Sequence, residues 1–336
     1  MELETSYMGL RLRNPLVASP SPLSYTLDGV RRLADAGVGA IVLFSLFEEQ
    51  LREEAARNAE LVDRSAESFP EAIDYVPAIM KEDVGPRSYL SLLERAVAAV
   101  DVPVIASLNG VTPEGWTDYA RAMQDAGAAA IELNIYYVPG DPRIPGRDVE
   151  QRHVDVLQRV KAAVTVPVAV KLSPYFSSTG EIAVRLDEAG ADGLVLFNRF
   201  LQPDIDPEQL AILPRVNLSS PADARLPQTW IALLCRSVSA SLAATTGVEV
   251  PADVARYLLA GADVVMTTSA LLRHGPGYAT ELLDGLSTWM TRKGFGAVDE
   301  LRGMLSVSPA ADPAAYQRSG YVAAMRAANA GAYAPW

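Results

Sequence analysis

The chain has one cysteine, two histidines and four lysines in 336 residues. The lone Cys235 excludes an internal disulfide, and its neighbours Trp230-Ile231-Ala232-Leu233-Leu234 read as packing around it rather than as the setting of a reactive thiol. His153 and His274, with no cysteine cluster, offer no metal-ligand spacing, so no metal is expected. His153 falls in the helical stretch Asp148-Val149-Glu150-Gln151-Arg152-His153 and is expected at the surface. Positive charge is also scarce. Lys plus Arg number 29 against 41 Asp plus Glu, a net charge of −12, which argues against binding nucleic acid or an anionic membrane surface. No run reaches the roughly 18 apolar residues of a membrane span. The acidic start, Met1-Glu2-Leu3-Glu4-Thr5, lacks the apolar core of a secretory signal. These absences lead to the expectation of a cytoplasmic globular protein, and 49% hydrophobic residues are ample for a large core.

What the chain does have is a repeat. Asp35-Ala36-Gly37, Asp125-Ala126-Gly127, Glu188-Ala189-Gly190 and Leu259-Ala260-Gly261 each close a helix with glycine just before an apolar strand. Val102-Pro103-Val104 and Val166-Pro167-Val168 open two further strands, where proline suits the first position. The pattern predicts strands near 16–20, 40–45, 102–108, 131–136, 167–173, 193–198, 240–246 and 263–269. Eight apolar strands alternating with helices predict a (β/α)8 TIM barrel over residues 1–305. A doubly wound open sheet would want a glycine-rich turn after the first strand, and Ala18-Ser19-Pro20-Ser21-Pro22 is not one. Long connections fall at 46–86 and 199–224. Residues 306–336, ending Tyr333-Ala334-Pro335-Trp336, form a tail that packs on the barrel or on a partner subunit.

Barrels of this kind carry chemistry at the carboxyl ends of their strands. Those ends are Ser19, Phe44-Ser45, Ser107-Leu108-Asn109, Asn134-Ile135-Tyr136-Tyr137, Lys171-Leu172-Ser173, Asn198-Arg199, Thr245-Thr246-Gly247 and Thr267-Thr268-Ser269. Lys171 closes the buried-type strand Val168-Ala169-Val170, where a charge is costly unless an anion or an electron-rich ring meets it. Amides and hydroxyls around one lysine suit a neutral heteroaromatic ring. A phosphate at the seventh and eighth strands would rest on the helix start at Val250-Pro251-Ala252-Asp253. Taken singly, each Asn, Ser or Thr could do no more than cap a turn. Glu132, inside a strand, faces either the barrel interior, where it needs a partner, or the helices, and is read as structural.

These residues resemble the class 1 dihydroorotate dehydrogenases, FMN-containing β/α barrels, across residues 2–305. The likeness is carried by Val170-Lys171-Leu172-Ser173-Pro174-Tyr175-Phe176, by Ile131-Glu132-Leu133-Asn134, and by Gly261-Ala262-Asp263 leading to Ser269-Ala270-Leu271. Weaker support comes from Asn14-Pro15-Leu16 with Ala18-Ser19. The form Glu132–Tyr137 looks like the subgroup described only as dihydroorotate dehydrogenase-like. The resemblance implies FMN as cofactor, with Ala18 and Ser19 against the flavin, Ser45 near it, and Lys171 at its pyrimidine edge. It implies Asn134 and Asn198 on flavin or substrate, and Thr246, Gly247, Thr268 and Ser269 on the phosphate. It also suggests a homo-oligomer and leaves room for an electron-transfer partner.

The departures bear on substrate. The family's Asn-Leu-Ser-Cys-Pro-Asn loop, with its cysteine base, reads here Asn134-Ile135-Tyr136-Tyr137-Val138-Pro139, so Tyr137 stands at the base position. A second family lysine aligns with Phe44. An unperturbed phenol, near pKa ~10, is a poor base at neutral pH and a serviceable acid. The reading is therefore an FMN-dependent oxidoreductase moving a hydride between flavin and a small unsaturated or dihydropyrimidine-like substrate, with Tyr137 (or Tyr136) as proton donor and Lys171 stabilising charge. Two alternatives stand beside it. One is genuine dihydroorotate oxidation with a substituted base, and the other is a non-catalytic flavin-binding or apo barrel within an oxidoreductase assembly.

Overall fold

The computed structural model describes residues 2–50, 85–110, 116–137, 140–199, 203–213, 217–308, 310 and 312–329. After a hairpin of β1 (Thr5–Tyr7) and β2 (Leu10–Leu12), eight parallel strands close a barrel. They are β3 (Leu16–Ala18), β4 (Ala40–Phe47), β5 (Val104–Gly110), β6 (Ala130–Ile135), β7 (Val168–Leu172), β8 (Gly193–Leu196), β11 (Ser241–Ala244) and β12 (Val264–Thr267). Each pairs with the next in chain order, and β12 returns to β3, so the expected (β/α)8 architecture is present.

The surrounding helices are α1 (Leu27–Asp35), α2 (Pro86–Ala99), α3 (Trp116–Asp125), α4 (Gly146–Ala163), α5 (Thr179–Glu188), α6 (Arg225–Leu234), α7 (Pro251–Ala260), α8 (Ser269–His274) and α9 (Tyr278–Lys293). The four repeat glycines explain the helix-to-strand turns. Gly37, Gly127, Gly190 and Gly261 have φ of 95°, 92°, 94° and 124°, a region open to glycine and costly to a side chain. The repeated Gly-Ala-Asp has a second use at the same end of the barrel. Asp192 accepts from the Val168 N–H (2.7 Å) and Asp263 from the Leu242 N–H (2.7 Å), each tying the amino end of a neighbouring strand.

Alternation along the strands divides the core into two layers. Leu16, Ile41, Leu133, Val170, Leu172 and Leu194 face the helices, whereas Val17, Val42, Ile105, Ala130, Ala169, Val195, Ala243 and Met266 fill the barrel. Tyr7, Met8 and Leu12 of the β1–β2 hairpin close the amino end of that interior. Thr5 Oγ1 donates to the Asp263 carbonyl (3.0 Å) and the Met8 N–H to Ser241 Oγ (3.0 Å), fixing the plug. Gly193 makes room for it, since a Cβ there would stand 3.0 Å from Met8 Cγ. With its amino end stoppered, the barrel is left with its carboxyl-end mouth as the place for a site.

Cys235 caps α6 at the stoppered end, where its sulfur lies against Gly261; a Cβ on that glycine would be 2.3 Å away. Most of the expected connection 46–86, residues 51–84, lies outside the described residues, as do Val138-Pro139 and the chain end from 330. The 199–224 connection holds a small hairpin, β9 (Asp204–Asp206) with β10 (Ala211–Leu213). Beyond α10 (Val298–Leu301), the backbone is pinned to the helical layer by Leu305 N–H to Leu259 O (2.9 Å) and Val307 N–H to Ala232 O (2.8 Å). The last helix, α11 (Pro313–Asn329), is exposed along residues 318–326. No helix among the described residues is long and apolar enough to cross a membrane.

Candidate active site

Strand register assembles the carboxyl-end mouth. Asn109 on β5 pairs with Asn134 on β6, and Asn134 pairs with Lys171 on β7, so three polar side chains share one inward-facing layer at the rim. Their chain neighbours Leu133, Ile135, Val170 and Leu172 belong to the outer core, which is what directs the polar groups inward. Asn198, just past β8, joins them by donating from Nδ2 to Asn134 Oδ1 (2.8 Å). Ser45 and Ser107 share a hydrogen bond between their hydroxyls (2.8 Å). Ser107 is held from behind by Tyr89, whose hydroxyl takes its N–H (2.9 Å) and donates to its carbonyl (3.3 Å). Burial drives the Tyr89 phenol well above its ordinary range, so it stays protonated.

Lys171 meets a carboxylate. Its Nζ lies 3.2 Å from Glu132 Oε1, with the two side chains 8% and 1% exposed. Glu132 thus faces the interior and has the partner that such a position demands.

A second cluster joins β3 and β12. The Ser19 N–H donates to Thr267 O (3.1 Å), and Thr268 Oγ1 donates to Ser19 O (2.9 Å), which places Ala18, Ser19 and Thr268 side by side. A third lies beyond β11. Thr246 and Gly247 are consecutive left-handed residues with φ of 84° and 75°. For a β-branched threonine that is true strain, of order 1–3 kcal/mol, and such strain gathers at functional turns. The Gly247 N–H donates to Ser219 Oγ (3.1 Å), and Ser269 Oγ accepts from both the N–H (3.0 Å) and the hydroxyl (2.9 Å) of Ser219. Arg273 donates to Ser219 O (2.7 Å) and pairs with Glu249.

At the helix start expected to carry a phosphate, Asp253 Oδ2 accepts from the N–H groups of Glu249 and Val250 (3.0 Å each), so a buried carboxylate holds the two donors just before α7. In the Gly247 turn just upstream, the N–H meets a neutral hydroxyl, that of Ser219.

His153 departs from expectation. It is 2% exposed, because Val149, Val156 and Val160 put its face of α4 against the barrel. Nδ1 lies 2.9 Å from Val149 O, and the ring meets Phe176 edge-on at 5.1 Å. Burial lowers its pKa, outweighing the carbonyls of Val149 and Ile135 that favour the charged form. His153 therefore braces the ends of β6 and β7 from behind. Tyr137 packs against the same outer core, with Arg152 over its ring at 4.1 Å from the centroid. Phe44 turns into the helical layer, edge-on to Tyr25 (4.6 Å) and Tyr89 (5.0 Å), and leaves Ser45 at the mouth. Ser219 and Arg273 were missed as site residues, since nothing in an irregular 26-residue connection signals that Ser219 reaches the eighth strand.

The family model described as dihydroorotate dehydrogenase matches residues 71–290 of the chain. The chain belongs to the dihydroorotate dehydrogenase family. Members are oxidoreductases acting on CH–CH bonds, and this barrel is one of them. It is similar to the dihydroorotate dehydrogenase B (NAD(+)) catalytic subunit of Methanothermobacter thermautotrophicus, 29% identical over 90% of this chain and 98% of the relative. It is also similar to the NAD-dependent dihydropyrimidine dehydrogenase subunit PreA of Escherichia coli, 25% identical over 93% of this chain and 79% of the relative. The one cysteine of this family member, Cys235, sits at the stoppered end of the barrel, away from the carboxyl-end mouth.

Proposed function

We propose that the protein is an FMN-dependent oxidoreductase acting on a small dihydropyrimidine-like or otherwise unsaturated substrate. The observation that carries this reading is a buried ammonium, Lys171, at the rim of a plugged barrel beside the paired amides of Asn134 and Asn198. The donor set fits the cofactor. Ammonium, amide and hydroxyl groups suit the polar edge of an isoalloxazine, and the Thr246–Gly247 turn with Ser219, Ser269 and Arg273 suits a phosphate.

When bound, FMN supplies the hydride-transfer chemistry. Lys171 holds the pyrimidine edge and offsets negative charge there, while Asn134 and Asn198 orient flavin or substrate. Ala18 and Ser19 pack beside the ring, with Ser45 near it, and Thr246, Gly247, Thr268 and Ser269 hold the phosphate end. Tyr137, with Tyr136 beside it, donates a proton to the substrate carbon. Phe44, engaged in an aromatic cluster, stands where the family's second lysine would bind a pyrimidine carboxylate, which favours a neutral dihydropyrimidine over dihydroorotate. The subunit designations of both relatives support an electron-transfer partner, and a homo-oligomer in the cytoplasm completes the reading. The test is anaerobic: reduced protein is mixed with uracil-type pyrimidines, orotate and enones, and the flavin absorbance is followed. Reoxidation by a neutral pyrimidine or enone is expected, and reoxidation by orotate alone would reverse the assignment of substrate.

A further inference from the structure

We infer that Glu132 is a positioning residue for Lys171, gripping the ammonium from inside the barrel so that its remaining N–H groups face the mouth. This deepens the flavin reading above and rests on it for its functional consequence.

Glu132 and Asn134 both point inward from β6, and Asn134 is the register partner of Lys171. Glu132 therefore lies one layer below the lysine, and the 3.2 Å contact runs down into the interior rather than out to solvent. An ammonium has three N–H donors; one goes to Glu132, and two are left for the mouth. A lysine so held has no freedom to snorkel outward.

The carboxylate is placed at a cost that stability alone does not explain. Glu132 is 1% exposed, and its Oε2 has no hydrogen-bond partner. Its register partners are Ser107 and Ala169, and Ala130 lies below it on its own strand, so an apolar side chain would fit. Replacing a buried ion pair by apolar groups is often neutral or stabilising, which leaves the lysine's placement as the reason for the acid. Among the described residues, the phenols of Tyr7, from the plug, and of Tyr89, on α2 behind β5, also feel the Glu132 charge. Burial first and the Glu132 charge after it push the Tyr7 phenol far up; burial does the same to Tyr89, so both stay neutral and leave Lys171 as the counter-charge. Tyr7 Oη, like Glu132 Oε2, is buried without a partner.

The chain's four lysines make the test direct, because Lys81, Lys161 and Lys293 serve as internal controls. Flavin-free wild type and Glu132→Gln are acylated at one pH, and each lysine is followed by mass spectrometry. Lys171 should react about ten-fold faster in the variant, the factor expected when roughly 1.4 kcal/mol of pairing is lost, with the three controls unchanged. An unchanged Lys171 rate overturns the proposal. If all four rates rise together the variant has unfolded, and Glu132→Asp, which keeps the charge but draws it back by one methylene, is scored by the same criterion. FMN affinity gives the second readout. Glu132→Gln and Lys171→Ala should each weaken binding, and the double variant should bind no worse than Lys171→Ala; additive losses overturn the coupling. If wild type takes up no FMN, the functional reading falls, while the acylation result still decides the pairing.

Discussion

The Arg152 guanidinium lies 4.1 Å from the centroid of the Tyr137 ring, tying the loop beyond β6 to helix α4. A cation over the face of a tyrosine contributes about 0.5–1 kcal/mol at a partly exposed site and fixes the ring plane. Tyr137→Phe preserves that contact and removes only the hydroxyl. It should leave FMN affinity and melting temperature near wild type while lowering turnover about 100-fold, the lower range for general acid catalysis. Full turnover in this variant would pass the role to Tyr136. Arg152→Met should cost stability of the order just given and lower turnover without abolishing it, as read by denaturant unfolding and steady-state kinetics.

His153 makes stability depend on pH in a definite direction. Its folded pKa is lowered by burial, whereas an unfolded histidine titrates near ~6.5. Below that value the unfolded chain takes a proton that the folded protein resists, so stability is present above pH ~6.5 and is lost as pH falls toward the folded pKa. Melting temperature should drop on acidification from neutrality toward pH ~5, and His153→Gln should flatten that part of the profile. Equal pH slopes in the two proteins would show that His153 is not the group responsible.

Gly247 is required by both conformation and space. With φ of 75°, an added Cβ would stand 2.7 Å from Ala224 N and 2.8 Å from Ser220 O, both backbone atoms that yield poorly. Gly247→Ala should destabilise the protein by roughly 2 kcal/mol or more, measured by urea unfolding. It should also weaken FMN more than it weakens free riboflavin, because on the proposed reading the displaced turn would hold the phosphate.

Asn198→Ala removes the donor that meets Asn134 Oδ1 at 2.8 Å. The loss should be about 1 kcal/mol or more in FMN or substrate affinity, read by flavin fluorescence and by KM. Combined with Asn134→Ala the effects should be less than additive, since the two amides act as a pair.

The barrel was legible because its signals are local. Each strand is a short apolar run, and four of the helix-to-strand turns carry a glycine whose φ only glycine adopts easily. The rim residues were legible for the same reason, since a strand's end is visible in sequence. What was hidden depends on contacts distant in the chain. The plug strands are three residues each, too short to show a period, and Tyr7 reaches the interior only once the barrel has closed. Glu132 could be placed on a strand, but its facing depended on the register that sets Asn134 beside Lys171. His153 had a readable signal that was outweighed by its charged neighbours, namely its helical spacing from Val149, Val156 and Val160. Ser219 meets Ser269 across 50 residues with no periodic cue.

The most direct measurement is a titration of the purified, flavin-free protein with FMN, followed by absorbance near about 450 nm and by quenching of flavin fluorescence. The account predicts one FMN bound per chain, with affinity reduced in Lys171→Ala. A protein that remains colourless and leaves FMN fluorescence unquenched would contradict it.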